Sequence, residues 1–368
     1  MRNKIAALLL AFVTLAAATT VRTKDGFLLA TAPYAFSFPR DHYAHDAYRT
    51  EWWYFTGHLR AADGHRFGYE LTFFRIGLAP HPSRVAKGRS AWRAAQLYPA
   101  HFAITDETKK QFVYYETFAR DALGQGYASQ RRLDVRSNGW TLTGTAQVRP
   151  VMHLHARSGN DALDLVQVPE KPPAINGHDG ISRKGSCVGC ASHYYSFTRL
   201  ATTGTLVRDG VRYAVHGLSW MDHEYGSDEL QRGQVGWDWF SIQLADRREI
   251  MLYRLRQRNG RTTPQSSGSL IAPNGSVRYL PLSAFTIVPT GTWTSPHTHA
   301  VYPSGWRLRV KGVREELILT PTLADQELAN PGGTTYWEGA VRVTDARTGA
   351  RLGVGYVELT GYAEALQL

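Results

Sequence analysis

From Arg66 to Ile76 the chain reads RFGYELTFFRI, with Phe67, Tyr69, Leu71 and Phe73 on one side of the alternation and Arg66, Gly68, Glu70 and Thr72 on the other. Apolar residues at every second position suit a half-buried β-strand, because successive side chains leave opposite faces of the pleat. The same reading predicts strands over Gln111–Ala119, Leu133–Ser137, Trp140–Arg149, Ala162–Pro169, Tyr194–Leu200, Val211–Met221 and Trp237–Leu244. Further strands are expected over Glu249–Arg256, Trp306–Val310, Glu316–Thr320, Tyr336–Thr344 and Gly353–Tyr362. Turn sequences such as AADGH, RDALGQG, RSNG and RTGA separate them. Only Ser90–Thr105 and Leu323–Ala329 read as short helices. Many short strands joined by turns predict an all-β chain of sandwich or barrel type.

Two segments echo each other. WYFTGHL from Trp53 leads through a turn to YELTF, and DWFSIQL from Asp238 leads through a turn to IMLY. Each is an aromatic hairpin that opens a run of strands. The expected organisation is therefore two tandem antiparallel β-barrels, residues 27–230 and 231–368, with their junction near 222–238. Closing a sheet into a barrel removes its edges and leaves an interior that can hold a ligand.

The N-terminus departs from this pattern. Arg2 and Lys4 precede an apolar run, Ile5 to Ala18, that ends in small residues and is short for a membrane span. Residues 1–18 read as a cleaved signal peptide, so the expected location is periplasmic or secreted. An uncleaved membrane anchor is the lesser reading. The net charge of +11 is scattered rather than clustered, and export removes access to nucleic acid, so nucleic-acid binding is not expected. Peripheral membrane contact and oligomeric state stay open. The two cysteines, Cys187 and Cys190, form CVGC in a loop-like stretch. They read as a local disulfide rather than a redox centre, because the strand–helix context of a redox pair is missing.

Three segments place carboxylates among aromatic residues. In LSWMDHEYG, Trp220, Asp222 and Glu224 share one strand face, and Met221, His223 and Tyr225 share the other. In GWDWF, Asp238 lies on the face of Phe240 and Ile242, opposite Trp237 and Trp239. In TEWWYF, Glu51, Trp53 and Phe55 alternate together. Carboxylates in buried strands are rare unless paired or functional. The plain alternative is that they close salt bridges with arginines such as Arg66 or Arg75.

EWWYFTGHL, RFGYELTFFR, KPPAINGHDGISRKG, ASHYYSFTRL, GLSWMDHEYGS and GWDWFSIQL together resemble the AttH / carotenoid 1,2-hydratase (hydroxyneurosporene synthase) family. MLYRLR, YPSGW, YWEGAVRV and GYVELTGY extend the resemblance over roughly Tyr34 to Tyr362. It implies tandem lipocalin-like barrels. It also implies a chain of a kind labelled a secreted hydrolase, related to carotenoid hydratases, lipid-binding proteins and cyclases of polyenes. The loop SCVGC departs from the family's pattern, whereas the Trp-Asp-Glu segment keeps it. By this resemblance the catalytic candidates are Asp222, Asp238, Glu224 and Tyr225. The ligand-binding candidates are Trp53, Trp220, Trp237, Trp239 and Tyr225.

Two functions follow, with a secreted hydrolase of unknown substrate as a third reading that rests on the family label. One is binding of a long apolar ligand, an isoprenoid or other lipid, in a barrel cavity without catalysis. The other is hydration of an isoprenoid C=C bond. For that reaction a carboxylic acid kept neutral by burial protonates the alkene, aromatic faces stabilise the cation by about 1–2 kcal/mol each, and a carboxylate activates water. Neither needs a cofactor or metal. His216, Asp222, His223 and Glu224 lie close in sequence, and His297 and His299 form a pair, but strand geometry splits Asp222 from His223 and no HExxH occurs. Ser219 lacks the GxSxG elbow of serine hydrolases, and no GxGxxG supports a dinucleotide.

Overall fold

The computed structural model describes residues 21–80, 94–228, 230–330 and 333–366. The expected signal peptide, residues 1–18, lies outside the described residues. Two antiparallel sheets make up the chain. In the first, Thr50–Ala61 sits between Arg66–Gly77 and Val211–Gly226. The sheet continues on one side through Gln96–Asp106 to Gln111–Arg120. On the other side it runs through Ala191–Arg208, Asp161–Pro169, Met152–Ser158, Trp140–Gly144 and Asp134–Ser137 to Gly126–Ala128. Gln111–Arg120 packs back on Gly126–Ala128 and Asp134–Ser137, so the sheet curls into a nearly closed barrel.

The second sheet repeats the plan. Gln234–Leu244 lies between Glu249–Gln257 and Arg351–Thr360. The path ends in Val277–Pro281 on one side and Phe285–Pro289 on the other, joined by a single 3-10 turn, Leu282–Ala284. The aromatic hairpins that echo each other in sequence thus occupy equivalent positions in two lipocalin-like barrels.

The period-two pattern sets the register. Phe67, Tyr69, Leu71 and Phe73 all enter the core of the first barrel, with Trp53, Phe55, Phe102 and Leu142. Phe240, Ile242, Trp306, Val341 and Val357 fill the second. Both expected helices are replaced by extended chain. Gln96–Asp106 is a strand, whose Tyr98, Ala100, Phe102 and Ile104 point into the barrel. Its other face, with His101, Ala103 and Thr105, is buried as well, so the alternation in the sequence is weak. Residues 90–93 of that expected helix lie outside the described residues. In place of the second helix, Glu327–Leu328 makes a two-residue strand paired with Tyr336 and Trp337.

The outer faces of the two sheets meet. Tyr54, Tyr194 and Trp220 of the first barrel pack against Trp239, Met251, Tyr253, Leu255, Ala340 and Tyr356 of the second. Gly68 permits the approach: a Cβ there would lie 2.5 Å from the Tyr356 hydroxyl and 2.8 Å from Ala340 Cβ. At one edge a buried ion triad ties the barrels together. Glu249 accepts from Lys171 Nζ at 2.6 Å and from Arg199 Nε at 2.5 Å. Among the described residues no helix is long and apolar enough to cross a membrane.

Candidate functional site

A cavity of about 390 Å³ opens between the barrels. This is within the usual range for small-molecule sites. It lies on the shared outer faces, whereas the barrel interiors expected to hold a ligand are filled by core side chains. The cavity owes its walls to two cross-strand rows. On the first barrel, antiparallel register aligns Glu116, His101, Thr72, Tyr54, Asp222 and Ser196 across five neighbouring strand pairs. On the second it aligns Tyr253, Trp239, Glu358 and Glu338. Trp52, Phe74, Trp237 and Leu255 add apolar wall.

The sequence-predicted residues divide between two places. Asp222, Glu224, Trp237 and Trp239 line the cavity. Trp220 packs behind it, edge-on to Trp239 with ring centroids 6.1 Å apart. Asp238, Trp53 and Tyr225 are not brought there. Asp238 points into the other face of its strand, where Arg254, Arg256 and Tyr362 hold its carboxylate. Trp53 lies inside the first barrel, stacked on His223 at 4.7 Å. Tyr225 stacks on His45 at 3.7 Å and bonds the Tyr34 hydroxyl at 3.0 Å.

Asp222 accepts three hydrogen bonds. Tyr194 Oη donates at 2.7 Å, Ser196 Oγ at 2.5 Å and Trp220 Nε1 at 2.7 Å. Trp239 Nε1 in turn donates to Tyr194 Oη at 3.0 Å, so the chain crosses from one barrel to the other. Burial pushes Asp222 up to about 7 against the pull of these donors. Glu224, on the same face, pairs with Lys184 Nζ at 2.7 Å and accepts from Ser192 Oγ.

The larger surprise is a set of glutamates not singled out in the sequence. Glu358 lines the cavity and accepts from Trp237 Nε1 at 2.8 Å. Burial, with the nearby Glu70, Asp222 and Glu224 charges, pushes it up to about 8. Glu338 accepts from Tyr54 Oη at 2.7 Å across the barrel junction. Burial and the neighbouring Glu358 and Glu70 raise it well above the usual carboxylate range. Burial also takes Glu70 to about 7, with His101 opposing. The second oxygens of Glu70 and Glu338 have no hydrogen-bond partner. An ionised carboxylate left so is costly, which favours the neutral form of both groups. Glu338 and Glu358 lie in YWEGAVRV and GYVELTGY, where a glutamate inside an otherwise apolar strand was the available signal. His101 and Tyr336 complete the wall, with Nδ1 and the hydroxyl 2.7 Å apart.

Cys187 and Cys190 form a disulfide. The loop they close begins beside Lys184, whose backbone N–H donates to Cys190 O at 2.8 Å.

The pattern of the AttH-like family matches residues 29–362. A crystal structure of a protein described as an AttH, from Nitrosomonas europaea, superposes with a TM-score of 0.79 at 31% identity, covering 89% of this chain and 98% of that one. Kievitone hydratase from Nectria haematococca shares the fold at 16% identity with a TM-score of 0.68, covering 91% of this chain and 95% of its own. CghA, solved with Sch210972, shares it at 14% identity and a TM-score of 0.55, over 93% and 98% of the two chains. No curated protein matches the sequence significantly.

Proposed function

The chain belongs to the AttH-like family, and from that membership and the chemistry of the cavity we propose that it is an exported, cofactor-independent hydratase-type enzyme acting on an apolar, unsaturated ligand between the barrels. The observation that carries this reading is the pair Glu358 and Asp222. Both face one aromatic cavity, and their surroundings push them to about 8 and about 7. Two titratable groups held at different values in one site are the usual basis for dividing acid and base roles.

In this reading Glu358 is the acid. Among the described residues one Trp N–H holds one of its oxygens, against three donors on Asp222, so its proton is the more available of the two. Its O–H bond breaks as a C–H bond forms on the alkene. The faces of Trp237, Trp239 and Tyr54 stabilise the resulting cation. Asp222, whose three donors favour the ionised form, takes a proton from the water that attacks the cation. Passing that proton back to Glu358 resets the site, and the net change is addition of water. Lys184 and Glu224 form a polar anchor at the wall. A hydratase has this fold, which suits the proposal without identifying the substrate.

The test begins with solvent extraction of the native protein and mass spectrometry of what it carries. A matching polyene is then incubated in ¹⁸O-labelled water. Label incorporation that falls at least a hundredfold in Glu358→Gln and in Asp222→Asn, with ligand still bound, is the expected result. Ligand recovered without incorporation by the wild-type chain would leave a lipid-binding protein, the second reading of this cavity.

A further inference from the structure

Beside the cavity, whose wall Glu51 and Arg75 also reach, a second polar cluster extends into the first barrel and takes no part in that chemistry. His45 Nδ1 and His223 Nε2 each lie 2.8 Å from the same oxygen, Glu51 Oε1. The three residues are buried, and their donor atoms all fall within 4.8 Å of one another. His45 comes from the segment that follows the 3-10 turn Arg40–His42, Glu51 from the strand Thr50–Ala61, and His223 from Val211–Gly226.

The outer atom of each group has its own partner. Glu51 Oε2 accepts from Arg75 Nε at 2.7 Å and from the His45 backbone N–H at 2.9 Å. His45 Nε2 faces Asp41 Oδ1 at 3.3 Å. His223 Nδ1 faces Tyr195 Oη at 3.1 Å, and Tyr195 Oη lies 2.7 Å from His42 Nδ1. His42 Nε2 ends the chain on Val148 O at 3.2 Å.

Counting protons along this chain leaves a mismatch. Val148 O only accepts, so His42 carries its proton on Nε2. Burial pushes His42 down to about 4, so its Nδ1 is bare and accepts from Tyr195. Tyr195 oxygen then accepts from His223, which places the His223 proton on Nδ1. Asp41, an acceptor, likewise calls for the His45 proton on Nε2; Arg40 Nη1 approaches that nitrogen only at 3.5 Å from an exposed side chain. Both inner nitrogens therefore aim lone pairs at a carboxylate oxygen. Either two extra protons or one cation must lie between them.

The charge count agrees. Glu51 and Asp46 share one buried guanidinium, Arg75, with Asp46 Oδ1 4.0 Å from its Nε and without a hydrogen-bond partner, and Asp41 faces His45 beside the exposed Arg40. With Arg40 and Arg75 set against the three carboxylates the cluster keeps an excess of negative charge, which favours a cation between the histidines. Donors about 2.1 Å from an ion and at right angles to one another lie about 3 Å apart, close to the 2.8 Å between each histidine nitrogen and Glu51 Oε1. Outer partners on every ligand are the usual support of a metal centre.

We propose that His45, Glu51 and His223 form a buried site for one divalent first-row transition-metal ion, with two histidines and one carboxylate as protein ligands. The ion fastens the segment around His45 to the barrel wall. It is a separate site from the Glu358–Asp222 pair and does not depend on the function proposed for that pair.

The test uses the full chain without an affinity tag, loaded with Zn²⁺ or Co²⁺ and then desalted. The expected content is one ion per chain by elemental mass spectrometry, with visible Co²⁺ d–d bands. Anomalous diffraction should place it between the three donor atoms. His45→Gln and His223→Gln, each checked for folding by circular dichroism, should lower metal content tenfold or more. If both variants fail to fold, the wild-type stoichiometry and anomalous peak decide the matter. The proposal is overturned by a folded wild-type chain that takes up no stoichiometric ion, or by an anomalous peak elsewhere. NMR spectra showing His45 and His223 both doubly protonated would also overturn it.

Discussion

Glu51 and Glu358 are both glutamates in the middle of strands and both set among aromatic rings, Glu51 fully buried and Glu358 half-buried at the cavity wall, yet they are held in opposite charge states. Burial works to raise Glu51, but the Arg75 guanidinium overcomes it and keeps the carboxylate well below its usual range. Among the described residues Glu358 has no such cation against it; the Trp237 N–H holds one oxygen, and other carboxyls surround it. Shielding from water thus does not decide what a buried acid does. The charge of its neighbours decides whether it becomes a fixed anion or a store of protons.

The sharpest way to break this comparison is to remove the cation. Arg75→Met should cost about 3–5 kcal/mol, because it leaves Glu51 buried without its guanidinium. Glu358→Gln should change stability by less than about 1 kcal/mol at pH 7, since it replaces a group that is already neutral with a neutral isostere. Urea denaturation of the two variants beside the wild type measures both. Equal losses would show that the two glutamates carry the same charge after all.

The pH dependence comes next in size. A carboxyl whose folded value is raised stays protonated where the unfolded chain has ionised. The folded state then binds more protons, and stability falls as pH rises. For Glu358 the loss runs from its ordinary value up to about 8 and then levels off; for Asp222 and Glu70 it levels off near 7. Each carboxyl contributes a slope of up to roughly 1.4 kcal/mol per pH unit, shared where the groups are coupled. Glu51 has the opposite sign: its stabilisation is present above the ordinary carboxylate value and is lost as pH falls through its lowered one. Buried His42 and His193, pushed down to about 4, oppose this trend below about pH 6.5, so denaturation midpoints should drop between about pH 6.5 and pH 8 in the wild type, and drop less in Glu358→Gln. A flat wild-type profile over that range would contradict a protonated cluster.

The smallest effect tests the bridge between the barrels. Trp239→Phe keeps most of the ring and removes the N–H that donates to Tyr194. It should cost about 1 kcal/mol. It should also disturb the Asp222 carboxyl behind Tyr194, which carbon-detected NMR titration can follow. An unchanged Asp222 titration would mean that the chain does not couple the two sides.

Much of this was legible in the sequence because local alternation is strong where one face is core and the other is mixed. Trp220, Asp222 and Glu224 do share a face, and Met221, His223 and Tyr225 share the opposite one. Gln96–Asp106 was illegible because both of its faces are covered, one by its own barrel and one by the other. Glu338 and Glu358 carried a faint local signal, a glutamate in an otherwise apolar strand, whereas Glu70 stood on the polar side of a plain alternation and looked like a solvent-facing glutamate. Asp238 shows the converse: the alternation already set it opposite Trp237 and Trp239, but only the structure shows that its face carries Arg254 and Arg256, which hold the carboxylate away from the cavity.

What the sequence alone determined is therefore the all-β plan, the doubled barrel and the side of each strand on which a residue falls, because pleating acts between immediate neighbours and has a fixed period. What only the tertiary structure decided is which outer faces meet, and so where the cavity lies and which acids stay neutral. Those depend on residues far apart in the chain, such as Tyr54 with Glu338 and Tyr194 with Trp239, and burial with the charge of such neighbours is set only once the two barrels are in contact.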